Sequence, residues 1–590
     1  MRKEEYGIIS NFIWSIKEIC KYKKRYIVCM VFEAIVKGLS PVVVLLITQE
    51  LIDRIQIKSS SFNLLIILLM ALVIFELVSD LIMNIINLKL KKYDLEFEAF
   101  AQVQILNKIS RLKSKDFENS KTYDLINRTQ YDANAGILGN VKTLFTLVTL
   151  IISTGSYGLI VISYNPLFFI AILLVQGLRF IFEKKYSIQE YDKIKSNTEV
   201  SRKTSYISYL LTNSEHFKEI KTFQLFDFFT NRYKNLKKFW NDDMIALYKR
   251  KSIVYCVLDV VETVLDFFIV LVVLKDTFLR KILIGKFILY SNSVDSLKGN
   301  MSSIFVQLSV IYKNNAILQQ IRGFFDMEEE GVNEKGVHLN NIETVELKNV
   351  SYRYKPDGEY VLKNLNLFLS KNNFTVIMGK NGSGKSTLIK IIMGVYHDYE
   401  GTILINGVDL KKINLKSYRD KVSVIFQDYI KYESTINENI WYGNLKYKDD
   451  NKCINDILSR VNLDSGVAGA EQMLGYQFSD GRQLSIGQWQ RLAIGRALIR
   501  EAGLYIFDEP NSALDLIAEK KIWDTIYVQT KSEIALCIMH RFNNIVTKAN
   551  RILVMDKGQI VELGRHKELL STKGLYYKLY TAYIGEAKKD

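Results

Sequence analysis

One stretch decides the fold of the C-terminal part of the chain, and it reads Gly379-Lys380-Asn381-Gly382-Ser383-Gly384-Lys385-Ser386-Thr387. It follows an apolar run at 374–378 and precedes a helix-compatible run at 388–393, so it fits the pattern G-x-x-x-x-G-K-[ST] between a strand and a helix. Glycines allow backbone N–H groups to turn inward around phosphate oxygens, and the following helix presents its positive end to them. We expect Lys385 to reach the β- and γ-phosphates and Ser386 to hold Mg²⁺. The stretch predicts a nucleoside triphosphate site.

Apolar and charged residues are segregated along the chain. Hydrophobic residues make up 48% of the 590 positions and charged residues 24%, and the formal net charge is +16. A positive net charge of this size is typical either of a protein that binds nucleic acid or of a membrane protein with basic cytoplasmic loops. Basic residues at 21, 23, 24 and 25 stand directly before a long apolar segment, which favours the membrane and argues against nucleic acid. The five cysteines form no C-x-x-C pair and predict neither a disulfide framework nor a metal site.

Six long apolar segments predict six membrane crossings, at about 26–52, 62–88, 144–163, 167–182, 253–274 and 282–312. Within residues 1–25, apolar side chains recur every three or four positions, which predicts an amphipathic helix on the membrane surface; an ordinary soluble helix is the alternative. Lysine and arginine in the N-terminal flank and in the two long connections place these parts in the cytoplasm. Lys275, Arg280 and Lys281 run against this orientation, because they fall in a connection that the count places outside.

The pattern changes to short strands and helices from about residue 345, which predicts a soluble α/β domain. The expected organisation is a surface helix at 1–25, a transmembrane domain with long cytoplasmic loops at 26–326, a linker at 327–344 and the α/β domain at 345–585. The fold class is therefore a multidomain membrane protein, in which a six-helix transmembrane domain precedes an α/β P-loop nucleotide-binding domain.

Two further motifs follow the phosphate loop. Leu504-Tyr505-Ile506-Phe507-Asp508-Glu509 is typical of a buried strand that ends in two carboxylates. Asp508 can position Mg²⁺ through water, and Glu509 stands where a general base could act on the attacking water. Between the two nucleotide motifs lies Leu484-Ser485-Ile486-Gly487-Gln488, followed by Trp489-Gln490-Arg491. This segment resembles the signature sequence of ATP-binding-cassette (ABC) proteins.

The other motifs of that family occur in the expected order. The resemblance implies that Tyr354 stacks on adenine, that Gln427 meets Mg²⁺ and the water, and that His540 contacts the γ-phosphate. Taken singly, these residues could be a strand aromatic, a surface amide and a capped strand end, but the ordered set makes those alternatives untenable. Asn511-Ser512-Ala513-Leu514-Asp515 resembles the loop that links the two sites of a dimer.

The resemblance gives ATP and Mg²⁺ as cofactors. The expected catalytic residues are Glu509, His540 and Gln427, and the expected Mg²⁺ ligands are Ser386, Gln427 and Asp508. The expected ATP-binding residues are Tyr354, Gly379, Lys380, Asn381, Gly382, Ser383, Gly384, Lys385, Ser386, Thr387, Asp508, Ser485, Gly487 and Gln488.

The signature departs from the family pattern at Ile486, where the family ordinarily has glycine. A β-branched residue is disfavoured at positive φ and adds bulk beside the phosphate. Ser485 and Gly487, which the family uses to contact the γ-phosphate of the partner's ATP, are retained. We expect a functional half-site with altered kinetics.

Six membrane helices ahead of one cassette resemble the half-transporter arrangement of type IV ABC exporters. In that family ATP lies between the phosphate loop of one subunit and the signature of the other, so the resemblance implies a dimer, most simply a homodimer. It also implies a multi-pass protein of the bacterial cytoplasmic membrane, with the cassette in the cytoplasm. Coupling helices near residues 117–125 and 216–223 would dock in grooves of the cassettes.

Particular segments resemble the lantibiotic exporters of the nisin and subtilin transport type. They are His216-Phe217-Lys218-Glu219-Ile220-Lys221, Asn235-Leu236-Lys237-Lys238-Phe239 and Phe426-Gln427-Asp428-Tyr429-Ile430-Lys431-Tyr432. This resemblance implies ATP-driven export of a modified antimicrobial peptide. The alternatives are a multidrug or lipid exporter and an ATP-gated regulator or channel; the apolar spans exclude a soluble DNA-repair ATPase. Only about 25 residues precede the first crossing, so no peptidase domain is expected there. Peptide-modification enzymes, a separate leader protease and membrane lipid are the other expected partners.

Acidic residues in the predicted crossings are candidates for a substrate cavity. Asp259, Glu262 and Asp266 share one face of the fifth crossing, and each charge at mid-membrane costs about 2.5 to 3.5 kcal/mol. That face is therefore expected to look inward. The full set of candidates is Asp259, Glu262, Asp266, Glu76, Asp80 and Asp295, with Lys298 as a potential internal partner. Two interpretations stay open: structural acids that are paired or protonated, and a negative cavity that attracts a cationic peptide.

Overall fold

The computed structural model describes residues 6–57, 61–331, 335–463, 471–510 and 516–587. The chain separates into two compact units. The first consists of Met1–Leu112 and Asn119–Glu328, and the second of Lys113–Glu118 and Glu329–Asp590.

Long helices build the first unit, in keeping with the apolar runs of the sequence. The helices up to Phe325 are α1 (Ile8–Tyr22), α2 (Lys24–Gln56), α3 (Phe62–Ile109), α4 (Ser114–Phe117), α5 (Ser120–Tyr164), α6 (Pro166–Ser196), α7 (Thr198–Thr212), α8 (Ser214–Thr222), α9 (Phe226–Phe278) and α10 (Ile284–Phe325). Of these, α4 groups with the second unit. Asn165 and Pro166 separate α5 from α6, because proline is favoured at the first turn of a helix and disfavours helical backbone in the residue before it.

Four helices among the described residues are long and apolar enough to cross a membrane, namely Lys24–Gln56, Phe62–Ile109, Gly136–Tyr164 and Pro166–Ile194. They contain the first four predicted crossings. The fifth predicted crossing lies in α9 and the sixth mainly in α10. They are not among those four because acidic residues interrupt the apolar stretch of α9, and serine, asparagine and glutamine lower the hydropathy of α10. The first unit is thus a helical membrane region, and the count of six crossings is not confirmed.

The end of α2 supplies the cap for the start of α10. The backbone N–H of Gly285 donates to Asp53 Oδ1 at 2.8 Å, and that of Ile284 donates to Gln56 Oε1 at 2.8 Å. Asp53 is buried. The first N–H groups of a helix have no partner within the helix, so these two acceptors satisfy groups that would otherwise be orphaned.

The second unit contains the α/β domain. Its strands are β1 (Thr344–Tyr352), β2 (Leu362–Ser370), β3 (Asn373–Gly379), β4 (Glu400–Ile405), β5 (Val408–Asp409), β6 (Val422–Ile425), β7 (Leu504–Asp508), β8 (Ile534–Ile538), β9 (Arg551–Asp556) and β10 (Gln559–Gly564). Its further helices are α11 (Lys385–Ile392), α12 (Leu415–Arg419), α13 (Ile436–Trp441), α14 (Asn451–Arg460), α15 (Ile486–Leu498), α16 (Leu516–Thr530), α17 (Asn544–Lys548), α18 (His566–Ser571) and α19 (Leu575–Ala587), with short 3₁₀ turns at Leu410–Lys412 and Leu445–Tyr447.

Two sheets organise this domain. One has the order β2-β1-β4-β5 and is antiparallel; the other has the order β10-β9-β3-β8-β7-β6 and is parallel except at the edge strand β10. Along β7, Tyr505 and Phe507 pack into one apolar core while Leu504 and Ile506 pack into another. A strand that is buried on both faces needs apolar side chains on both of them. Residues 504–507 are therefore all apolar and do not alternate with polar residues.

The short helix α4 makes polar contacts within the second unit. Lys115 pairs with Asp398, and Glu118 accepts a hydrogen bond of 2.5 Å from the Tyr396 hydroxyl and one of 3.3 Å from Lys390. The first coupling helix was predicted near residues 117–125; Glu118 lies within that segment, Lys115 lies just before it, and the chain from Ser120 is already in α5. The second predicted segment, 216–223, falls mainly in α8.

Candidate nucleotide site

The predicted catalytic motifs meet at one edge of the parallel sheet. Strands β3, β8, β7 and β6 are parallel neighbours, so their carboxyl ends lie side by side. The phosphate loop follows β3, and Gln427, Glu509 and His540 stand one or two residues beyond β6, β7 and β8. Ligands of open α/β sheets bind outside the carboxyl ends of the strands.

The phosphate loop has the backbone that its glycines allow. Gly379, Gly382 and Gly384 have φ of +149°, +78° and +98°, values that residues with a Cβ rarely adopt. A Cβ at Gly379 would also overlap the carbonyl oxygen of Met555. Helix α11 begins immediately after the loop, so its positive end points at the space that the loop encloses.

Lys385 is buried and folds back over the loop. Its Nζ donates to the carbonyl oxygens of Gly379 at 2.9 Å and Lys380 at 3.0 Å. Burial lowers the pKa of the Lys385 ammonium, although the nearby carboxylates of Glu509 and Asp508 act in the opposite direction. A phosphate group would supply the charge partner that this ammonium lacks within the loop.

Asp508 is buried beside the phosphate loop and suits a divalent cation. Burial, followed by the charge of Glu509, raises the pKa of Asp508 to about 6, while a hydrogen bond with Ser386 lowers it. Its Oδ1 atom is buried without a hydrogen-bond partner among the described residues. A buried carboxylate oxygen without a partner, next to a serine hydroxyl, offers the oxygen ligands that Mg²⁺ prefers. These two residues therefore fit the ion.

Glu509 is held from two sides. His540 Nε2 lies 2.6 Å from Glu509 Oε1, and Gln427 Nε2 donates to Glu509 Oε2 at 3.2 Å. The backbone of Glu509 has φ of +49°, a strained conformation for a residue with a Cβ. Burial lowers the pKa of His540, against the opposite effect of Glu509. The arrangement can orient one carboxylate toward a water molecule and supply a polar imidazole beside it.

Tyr354 lies against the start of α11. Its hydroxyl is 3.0 Å from Thr387 Oγ1, and its ring packs edge-on against Tyr352 and Tyr396. The ring is partly exposed, so one of its surfaces is available for stacking. The sequence analysis did not single out Tyr396, because a tyrosine in the connection between α11 and β4 belongs to no recognisable motif.

The signature segment begins a helix. Ser485 is the N-cap of α15, and Ser485 and Gln488 form a capping box. Ile486 is the first helical residue, is not among the residues with positive φ, and exposes 64% of its surface. The expectation that Ile486 would need a positive φ was therefore wrong, because this position has ordinary helical dihedral angles. No hydrogen bond or ion pair of the described part joins Ser485, Gly487 or Gln488 to the phosphate loop. The linking loop at 511–515 lies outside the described residues.

The acidic side chains of α9 are paired with basic side chains of other helices. Arg179 Nη1 contacts Asp259 Oδ1 at 3.0 Å and Glu262 Oε2 at 2.9 Å. Lys298 pairs with Asp266, and its Nζ lies 3.3 Å from Asp295 Oδ1. Two cations, Arg179 and the expected partner Lys298, therefore lie among the four acids, so this face does not carry negative charge alone. Arg179 was missed, although a single charge inside the apolar run 167–182 signals an internal partner.

Comparisons with known proteins agree with this geometry. Residues 362–512 match the family model described as ABC transporter. The chain is 32% identical over 583 residues to the subtilin transport ATP-binding protein SpaT of Bacillus subtilis, covering 98% of this chain and 95% of that protein. It is 28% identical over 573 residues to the nisin transport ATP-binding protein NisT of Lactococcus lactis subsp. lactis, covering 96% and 95%. A solved structure of a bacterial Atm1-family ABC exporter with ATP bound superposes with a TM-score of 0.76 at 18% identity, covering 95% of this chain and 98% of that one, and so shares the fold.

Proposed function

Because this chain belongs to the ABC transporter family, we propose that it uses ATP hydrolysis to export a modified antimicrobial peptide of the lantibiotic class. The observation that carries the choice of cargo is the likeness to the subtilin transport protein, which extends over 98% of this chain and so includes the membrane region. A cassette alone would not distinguish a peptide exporter from a multidrug or lipid exporter, because the nucleotide site serves all of them.

The hydrolysis site is proposed to consist of Lys385 on the phosphates, Glu509 as general base and His540 at the γ-phosphate. Asp508 and Ser386 would hold Mg²⁺, with Gln427 next to it; the ion would neutralise phosphate charge. Tyr354 would stack on adenine. The 2.6 Å contact between His540 and Glu509 supports this assignment, because it brings base and imidazole to one point beside the loop.

A second copy of the chain is proposed to complete each site. The signature residues Ser485 and Gly487 start α15, and within one chain the described contacts do not join them to the phosphate loop. A helix start has unsatisfied N–H groups that suit a phosphate. A two-fold dimer would bring this helix start to the γ-phosphate held by the partner, and both sites would form together.

The membrane part is proposed to have six crossings in the bacterial cytoplasmic membrane, with α9 and α10 as the fifth and sixth. Their ion pairs support this, because Arg179 and Lys298 compensate acids that would otherwise be costly in hydrocarbon. A separate leader protease and peptide-modification enzymes would act on the cargo before or after export.

The cargo is proposed to be cationic and to meet the acids that stay exposed. Asp259 and Asp295 expose 57% and 73% of their side chains, whereas Glu262 exposes 17%. The four acids outnumber Arg179 and Lys298, so the exposed carboxylates leave a surplus of negative charge. The asparagine variants of the two exposed acids should weaken peptide stimulation of the ATPase and spare basal turnover.

The test uses full-length protein reconstituted in inside-out vesicles with a cationic lantibiotic precursor, a hydrophobic drug and a fluorescent lipid as separate cargoes. We expect ATP-dependent uptake of the peptide, no uptake with Glu509→Gln, and little uptake of the drug or the lipid. Transport of drug or lipid without peptide would contradict the proposed cargo. ATP binding without transport of any of the three would favour the regulator or channel instead.

A further inference from the structure

The loop that carries His540 is anchored on both sides of the imidazole. His540 itself contacts Glu509, and Asn543 Nδ2 donates to Glu519 Oε1 at 2.9 Å. Between them, the ring of Phe542 points into an aromatic cluster built by α19. Phe542 is thus a third point of attachment of this loop.

Three tyrosines of α19 surround Phe542. Its ring centroid lies 5.5 Å from that of Tyr576, 5.2 Å from that of Tyr580 and 5.6 Å from that of Tyr583, and the first two contacts are edge-to-face. Residues three and four positions apart lie on one face of a helix, so these tyrosines form a continuous surface. We call Tyr576, Tyr580 and Tyr583 the tyrosine clasp. Such ring pairs are directional contacts and not only apolar ones.

The clasp is itself fixed to the sheet. Glu562 of β10 accepts hydrogen bonds from the backbone N–H groups of Leu575 and Tyr576, the latter at 3.1 Å, and so caps the start of α19. His566 Nδ1 lies 2.5 Å from the Tyr576 hydroxyl, and the His566 ring packs edge-on against Tyr580. The clasp therefore approaches Phe542 from a rigid base.

We infer that the tyrosine clasp positions His540 for hydrolysis by holding Phe542, which makes Phe542 and Tyr580 positioning residues. The inference rests on the proposed role of His540 at the γ-phosphate. The Cα atoms of His540 and Phe542 are at most about 7 Å apart along the chain, so a shift of the backbone at Phe542 is transmitted to the loop that carries the imidazole. A misplacement of about 1 Å can cost about a hundredfold in rate. The clasp thus links the C-terminal helix to the chemistry without touching the nucleotide.

The test measures ATP hydrolysis by the full-length protein in nanodiscs for Tyr580→Ala, Tyr580→Phe and Tyr577→Ala. We expect Tyr580→Ala to lower kcat about tenfold, which is less than the roughly hundredfold loss that a misplacement of about 1 Å can cause. The KM for ATP should change by less than about twofold. Tyr580→Phe should restore kcat, because the ring makes the contact. Tyr577→Ala is the matched control on α19, since the described ring contacts do not include Tyr577. A wild-type kcat in Tyr580→Ala would overturn the inference.

A double-mutant cycle separates positioning from general damage. In a His540→Ala background, Tyr580→Ala should cause no further loss of kcat, because the clasp acts only through that imidazole. An equal fractional loss in both backgrounds would show a structural defect and refute the clasp. Wild-type activity of His540→Ala alone would instead refute the proposed role of His540, and the clasp with it. An inactive His540→Ala beside a fully active Tyr580→Ala would refute the clasp only.

Discussion

Replacing Glu509 by glutamine tests the hydrolysis site most directly. The side chain sits between His540 at 2.6 Å and Gln427 at 3.2 Å. Glutamine keeps the shape of glutamate, but its amide cannot accept a proton from water. We expect Glu509→Gln to bind ATP and fail to hydrolyse it, which would trap the dimer in its ATP-bound state.

The size of the effect follows from the contacts. A positioned general base contributes about 10²- to 10⁴-fold, which corresponds to about 3 to 5 kcal/mol in the barrier. Gln427 can still donate to the remaining oxygen, and the new amide N–H₂ would face His540. The imidazole then needs its Nε2 as an acceptor, a change of tautomer that costs about the 1 kcal/mol of one hydrogen bond. The loss of rate is therefore much larger than any loss of binding.

The assay compares steady-state ATPase and equilibrium ATP binding of purified protein in nanodiscs. We expect ATPase at about 1% of wild type or below, with ATP affinity within about threefold. Glu501→Gln serves as the control, because Glu501 is a carboxylate of the same domain that pairs with Tyr447 away from the site. Turnover above about a tenth of wild type would refute the assignment of Glu509 as the base.

Four further outcomes follow from the geometry. Gly379→Ala should weaken ATP binding at least about tenfold in a nucleotide titration, because a Cβ there meets the Met555 carbonyl and the required φ is positive. Asp53→Ala should lower the thermal unfolding midpoint, since an unsatisfied buried N–H costs about 1 to 3 kcal/mol; an unchanged midpoint would show that the cap is dispensable. Ile486→Gly should raise basal ATPase by removing exposed bulk at the start of α15, and an unchanged or lower rate would contradict this. The Asp508 pKa of about 6 means that protonation removes a Mg²⁺ ligand in acid, so the Mg²⁺ concentration for half-maximal ATPase should rise between pH 7.5 and pH 5.5.

Features that follow directly from a strand or a turn could be predicted from the sequence. The phosphate loop needs glycine at positions of positive φ, and the catalytic side chains stand one or two residues beyond buried strands that form apolar runs. Once these strands pair in parallel, their carboxyl ends bring Gln427, Glu509 and His540 to one edge of the sheet. The contact of His540 with Glu509 follows from neighbouring strands, β7 and β8, with the same direction.

Features that depend on packing between distant segments could not be predicted. The spacing of the tyrosines in α19 is typical of any amphipathic helix and does not indicate their partner. That partner, Phe542, lies 34 residues before Tyr576 in the sequence. Ile486 was misjudged because a family glycine suggested positive φ, whereas the structure needs only a helix start there. Arg179 lies on a different helix from the acids that it pairs with, so spacing along α9 could not reveal it.

The ion pairs of α9 and α10 change which acidic residues are expected to face water. From the sequence, the only reason to expect that the six candidate acids face the interior was the cost of a charge in hydrocarbon. Each unpaired acid costs about 2.5 to 3.5 kcal/mol at mid-membrane. That argument no longer applies to Glu262 and Asp266, because Arg179 and Lys298 compensate them. Asp259 and Asp295 are exposed but also contact these two cations. The argument still applies to Glu76 and Asp80, which are exposed and belong to none of the ion pairs in the described part. An exposed carboxylate cannot face hydrocarbon cheaply, so in a membrane-embedded α3 these two acids must face water or a second copy of the chain.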